Sequence, residues 1–194
     1  MSSTSVPLRR PVLVDLAPGA LVRDAVAVVA GAALTGIAAQ VAIPTPLSPV
    51  PFTLQTMAVL VTGAALGPVR GAISMVLYAA AGSVGVPWFA GHASGFGGPS
   101  FGYIVGFIVA ASLVGALARR GADRSLLGTL GLMAAGSAIV YLIGTTWLAL
   151  DLGIGAGAAF GLGVAPFLVT DAVKALVAAL AFPSAWRIAR RFGG

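Results

Sequence analysis

No cysteine occurs among the 194 residues, and only 8% of them are charged, eleven Lys and Arg against five Asp and Glu. The first absence excludes disulfides, thiol catalysis and cysteine-ligated metal, and leaves the compartment open. The second excludes an ordinary water-soluble globule, in which about a quarter of the residues carry charge. Sixteen ionic side chains cannot cover the surface that a fold of this size shows to water. A hydrophobic share of 59% and a mean hydropathy of +1.04 belong to a chain solvated largely by lipid. Also missing is the compact apolar core and small-residue cleavage site of a signal peptide. The first twenty residues carry Arg9 and Arg10 among Pro7, Pro11 and Pro18, so the first helix is expected to act as its own insertion signal.

Six apolar runs remain: Val22 to Ile43, Phe52 to Leu66, Val69 to Val86, Gly102 to Leu117, Leu126 to Leu150, and Val164 to Phe182, three of them short for a full span. A spanning helix takes about 20 apolar residues, so this pattern predicts an all-α membrane protein of six transmembrane helices and leaves no room for a further domain. The expected division is a cytoplasmic segment over 1–21, a six-helix bundle over 22–182 and a basic cytoplasmic tail over 183–194. Ten arginines fall on one set of connections: Arg9, Arg10 and Arg23, then Arg70, then Arg119, Arg120 and Arg124, then Arg187, Arg190 and Arg191. The alternate connections, Pro44 to Pro51, Pro87 to Phe101 and Asp151 to Gly163, hold no Lys or Arg. Read by the positive-inside rule, both termini are cytoplasmic and the excess of positive charge records orientation in a bilayer, with no nucleic-acid partner implied.

The arginine-bearing connections are tight. The outer ones are charge-poor and rich in Pro, Gly and aromatics, notably Pro44 to Phe52 and Pro87 to Pro99. Proline stiffens the first and glycine lets the second approach a surface closely, so both suit a lid over a pocket; Trp88 and Phe89 equally suit interfacial anchoring.

The eleventh cation, Lys174, lies inside the sixth run three residues after Asp171, on the same helical face. With the helix starting near Pro166, the two sit ~8 to 12 Å below its outer end. An ion at the bilayer centre costs about 2.5 to 3.5 kcal/mol, so an intramembrane charged pair marks a functional site; the other reading is a neutralised pair that only locks helices together. A carboxylate accepts from several donors and an ammonium offers three N–H groups, so a polar ligand with N–H donors and a carboxylate suits the pair. Thr53 and Gln55 at the start of the second helix, Tyr103 at the start of the fourth, and Tyr141 and Trp147 in the fifth are placed to face the same outer cavity. Tyr103 and Trp147 also fit an aromatic belt, and Gln55 a capping role.

Three further patterns are discounted. Gly98-Pro99-Ser100-Phe101-Gly102 matches G-x-S-x-G but precedes a membrane helix rather than following a strand, and the single histidine, His92, sits in a loop. The glycines from Gly153 to Gly163 lack the Lys and the preceding strand of a phosphate loop. Ala27, Gly31, Thr35 and Ala39 recur every fourth residue and invite close helix packing, internal or with a partner. No catalytic residues, metal site or cofactor are expected.

The run Pro49-Val50-Pro51-Phe52-Thr53-Leu54-Gln55-Thr56-Met57-Ala58-Val59-Leu60, followed by Gly63 to Pro68, Tyr78, Gly82 to Gly91, Gly102 to Phe107 and Asp171-x-x-Lys174, resembles the BioY family. BioY proteins are the biotin-specific substrate-binding (S) components of energy-coupling-factor (ECF) vitamin transporters. The resemblance covers most of residues 22–182. It implies an S-component fold of six helices in the cell membrane and an outward cavity for biotin under the first and the third-to-fourth helix loops. Its implied partners are a transmembrane coupling subunit and two ATP-binding-cassette ATPases. On this chain the implied binding residues are Asp171 and Lys174, with Gln55, Thr53, Trp88, Phe89, Tyr103 and Tyr141 around them. A solitary biotin carrier working without ATPases and a structural membrane protein held by its charge pair remain the alternatives.

Overall fold

The computed structural model describes residues 10–16 and 19–192, with backbone alone for 189–192. Arg9 and the side chains of Arg190 and Arg191, part of the charge asymmetry above, lie outside the described residues, as does most of the expected N-terminal segment. Seven α-helices occur among the described residues: α1 (Ala20–Gln40), α2 (Gln55–Leu66), α3 (Pro68–Ser83), α4 (Phe101–Ala118), α5 (Leu126–Leu152), α6 (Ala156–Gly163) and α7 (Leu168–Phe192). An antiparallel hairpin of β1 (Ala42–Thr45) and β2 (Ser48–Thr53) joins α1 to α2.

Three expectations are corrected. The chain is not wholly helical, because Ile43-Pro44-Thr45 and Pro49-Val50-Pro51 combine β-branched side chains with prolines that cannot continue a helix. In a two-stranded hairpin both strands are edges, so the missing proline N–H groups cost no ladder bond. The glycine-rich stretch expected as a loop up to Gly163 contains α6, and a 3-10 turn over Ala165–Phe167 delays the last helix to Leu168 rather than Pro166. The expected tail from 183 is helical through Phe192 despite Pro183, because Trp186 finds a buried acceptor in Asp123 of the α4–α5 connection.

Four stretches are long and apolar enough to cross a bilayer: α1, α4, α5, and the segment from Ala156 to Ile188 that α6 and α7 share. At 1.5 Å per residue, α2 and α3 measure ~18 and ~24 Å, short of a hydrocarbon core of about 30 Å. Of these, α2 is buried along most of its length, while α3 buries one face, through Ser74, Met75 and Tyr78, and exposes Val69, Ile73 and Val76 on the other. Gly63 of α2 meets Ala111 of α4 so closely that a Cβ there would lie 2.5 Å from the Ala111 carbonyl oxygen. The small-residue stripe of α1 is used internally in the same way. A Cβ on Gly31 would stand 2.6 Å from Thr62 and 2.8 Å from the Ser74 hydroxyl, and Thr35 is buried against Met75. Val59, Leu60, Met75, Tyr78, Ala110, Ala111, Val114, Leu132 and Val140 form the core, while Leu and Val side chains such as Leu21, Val26, Val69 and Leu142 cover the outside. Apolar residues on both faces are what a lipid-solvated bundle requires.

The two ends differ. At one, Asp15 accepts from Arg70 at 2.8 Å and lies 3.7 Å from Arg119, and Asp24 joins Arg70 at 3.0 Å and Arg23 at 2.9 Å. These contacts and the Val12 backbone N–H hold the Asp15 carboxyl below its ordinary range against the opposing effect of burial. Asp123 lies at the same end, fully buried, with Oδ2 on the Trp186 indole N–H and Arg124 stacked 4.2 Å over the indole. Burial pushes the Asp123 carboxyl up. At the opposite end lie the hairpin, the long α3–α4 connection and α6.

Candidate functional site

A cavity of about 340 Å³ opens at the hairpin end, within the range of small-molecule sites. Its apolar walls come from β2 (Val50), the α3–α4 connection (Phe89), α4 (Phe101, Ile104, Phe107), α5 (Val140) and the turn before α7 (Phe167). Phe167 is braced by Phe52 of β2, ring centroids 4.8 Å apart. Backbone of Gly95, Gly97 and Gly98 completes the rim, each glycine with a positive φ that an L side chain would strain.

The polar group sits on the apolar base. Asp171 and Lys174, one helical turn apart on α7, pair at 2.7 Å between Oδ1 and Nζ, and their side chains are only 10% and 11% exposed. The second carboxylate oxygen accepts the Tyr141 hydroxyl of α5 at 2.6 Å, and the ammonium donates to Thr56 Oγ1 of α2 at 3.0 Å. Three helices therefore converge on one ion pair. Among the described residues, two of the three ammonium N–H groups are engaged and one is left to meet a ligand.

The structure brings seven of the eight expected residues to this cavity: Asp171, Lys174, Gln55, Thr53, Phe89, Tyr103 and Tyr141. Their contributions differ. Tyr103 donates its hydroxyl to the Gly163 carbonyl at 2.9 Å, with its ring against Gly144, so it offers the cavity an aromatic surface. Gln55 donates from Nε2 to the Tyr78 hydroxyl at 2.7 Å, and its Oε1 accepts from Thr53 at 3.2 Å. Trp88 is not brought to the cavity wall. Its indole N–H donates to the Tyr78 carbonyl at 3.0 Å and its ring lies over Gly36 of α1, because the flat face left by a glycine admits an indole there. Trp147 also stays outside, holding the Gly98 carbonyl at 3.0 Å within a cluster with Phe96 and Phe101.

Sequence reasoning missed Thr56, Phe167 and Tyr78. Thr56 had a usable signal: an intramembrane ammonium with three donors requires hydroxyl or carboxylate acceptors on facing helices, and Thr56 follows Gln55 at a helix start. Tyr78 stood out only within the residues that carry the family resemblance, with no role attached, since its role depends on the α3–α4 connection folding back over α3.

The chain is 40% identical over 151 residues to the probable biotin transporter BioY of Pyrococcus horikoshii, covering 76% of this chain and 86% of that one. It is 36% identical over 141 residues to the biotin transporter BioY of Thermotoga maritima, covering 70% and 80%. Among solved structures it is similar to the S-component for biotin from an ECF-type ABC transporter, with a TM-score of 0.77, 26% identity, and coverage of 89% of this chain and 93% of that one. The BioY family itself matches residues 6–191, and the chain belongs to that family.

Proposed function

We propose that the chain is the biotin-binding S component of a vitamin transporter, without catalytic activity of its own. The observation that carries this reading is the Asp171–Lys174 pair, nearly withdrawn from solvent yet lining a ligand-sized cavity with spare hydrogen-bonding capacity. A pair that only locked helices would be sealed by packing on every side. Biotin joins a ureido group, an apolar bicycle and an alkyl chain ending in a carboxylate. The ureido N–H groups match the acceptor Asp171, and the ureido carbonyl matches the free N–H of Lys174. Phe89, Tyr103, Phe107 and Phe167 cover the bicycle, and Thr53, Gln55, Thr56 and Tyr141 supply the polar wall. The biotin carboxylate points to the glycine-lined mouth, where it keeps its hydration; burying it would add a desolvation cost of several kcal/mol.

The arginine-rich end faces the cytoplasm of a plasma-membrane protein and the hairpin end faces outward, an orientation supported by Arg23, Arg70, Arg119 and Arg124 all lying opposite the cavity. Uptake then proceeds with an ECF coupling subunit and two ATPases, a reading supported by the likeness to the ECF-type S-component. Titration of the detergent-solubilised chain tests the site. Biotin and its methyl ester bind with similar affinity, while 2-iminobiotin, which lacks the ureido carbonyl, binds at least tenfold more weakly. The reverse order places the carboxylate on Lys174, and no binding of biotin at all removes the functional reading.

A further inference from the structure

The α3–α4 connection is held in place by a side chain outside the cavity. Gln40, the last residue of α1, donates from Nε2 to the carbonyls of Gly36, Trp88 and Phe89 at 2.9, 3.1 and 3.3 Å, and its Oε1 accepts the His92 backbone N–H at 3.1 Å. One amide thus spans both ends of the 88–92 turn. That turn is strained: His92 has φ +61, the one non-glycine residue with positive φ among the described residues, and Gly91 before it has φ +68. A left-handed non-glycine residue persists only where neighbouring contacts over-determine it. The Gln40 carbonyl supplies such a contact, because the His92 N–H reaches it in this conformation.

The consequence reaches the cavity by two routes. The Phe89 ring, whose carbonyl Gln40 holds, lines the wall and packs on Gly82 and Tyr78, with Tyr78 5.3 Å away in an edge geometry. The Trp88 carbonyl that accepts from Gln40 also accepts the Tyr78 hydroxyl at 3.3 Å, and that hydroxyl in turn accepts from Gln55 at the cavity wall. We propose that Gln40 is a positioning residue for ligand binding, setting the Phe89 ring and the Gln55 amide through the 88–92 turn without touching the ligand. The binding half of this proposal rests on the biotin reading above.

The test has an arm free of ligand. In the purified full chain without biotin, Gln40→Met speeds backbone hydrogen exchange over residues 88–95, and Gln40→Glu, which turns a carboxylate oxygen toward the three carbonyls of Gly36, Trp88 and Phe89, does so at least as strongly. With biotin, Gln40→Met raises Kd about tenfold, the size of one lost buried hydrogen bond. In Phe89→Ala, with the route through Tyr78 and Gln55 still in place, the same substitution adds clearly less than the tenfold it costs alone, because its route through the ring is already gone. A purely structural role would leave the two effects multiplying. Unaltered exchange in a chain that binds biotin, or multiplying effects on Kd, overturns the proposal. An unsubstituted chain that takes up no biotin sinks the functional reading and the binding half together, while the exchange arm still decides whether the turn is clamped.

Discussion

Replacing Lys174 by methionine keeps most of the side-chain volume and removes the ammonium that Asp171 and Thr56 hold at 2.7 and 3.0 Å. Two magnitudes follow. For the fold, removing one partner of a buried ion pair costs about 3 to 5 kcal/mol, since the remaining charge loses its compensation. Tyr141 still donates to Asp171 at 2.6 Å, which places the expected loss at the lower end of that range. For binding, the lost N–H to the ureido carbonyl is a hydrogen bond from a charged donor, about 1.5 to 3 kcal/mol, or roughly tenfold to a hundredfold in Kd. Calorimetric titration gives the second quantity, and thermal unfolding with and without biotin gives the first. The double variant Asp171→Leu with Lys174→Met separates the roles, because replacing both ions by apolar groups is often neutral for stability. Expected together are a destabilised single variant, a double variant restored toward the starting stability, and weak or no biotin binding by both. A single variant that unfolds earlier yet binds biotin within twofold of the original would make the pair a helix lock and refute the site.

At Gly82 an added methyl would lie 2.1 Å from the Phe89 ring, so Gly82→Ala displaces that ring, weakens biotin binding severalfold in a titration, and lowers stability by about 1 to 3 kcal/mol. The Asp15 carboxyl sits below its usual value of 3.8, so its contribution is complete above that pH and is lost as pH falls through the folded-state value; Asp15→Asn flattens the acid limb of a Tm-against-pH curve. The Asp123 carboxyl is raised, so the native state holds its proton longer than the unfolded chain, and stability declines as pH climbs from 3.8 toward the folded-state value. Asp123→Asn removes that decline, and a Tm slope unchanged by it would show that Asp123 is not the group responsible.

The parts of the fold legible in the sequence are those set by lipid. Five of the six apolar runs became helices with starts shifted by at most three residues, because hydropathy registers burial in hydrocarbon directly. The sixth start moved from Val164 to Leu168 because a 3-10 turn over Ala165–Phe167 precedes the helix, a distinction that hydropathy does not register. The hairpin was missed for a related reason: its prolines announced a stiff connection, but strand pairing is a non-local event that pattern reading does not capture. At the site, Asp171 and Lys174 were legible because charge inside an apolar run demands partners, and Tyr141 only as one of several polar or aromatic residues able to face the same cavity. Thr56 carried a usable signal, an ammonium in need of acceptors, whereas the Tyr78 contact to Gln55 depends on how the α3–α4 connection folds back over α3.

Trp88 shows how a correct segment can yield a misplaced side chain. An aromatic pair in a glycine-rich loop is a sound candidate for covering an apolar ligand, and Phe89 does line the cavity. Both rings pack on Tyr78, with centroids 5.2 and 5.3 Å away, yet only one of the pair reaches the cavity wall. Which one it is depends on two glycines elsewhere: Gly82, whose bare face receives the Phe89 ring, and Gly36 on α1, whose bare face receives the Trp88 indole. The cavity wall is therefore specified as much by the absence of side chains on α1 and α3 as by the aromatics of the loop, and enlarging either glycine shifts a ring that lines the cavity or one that supports it.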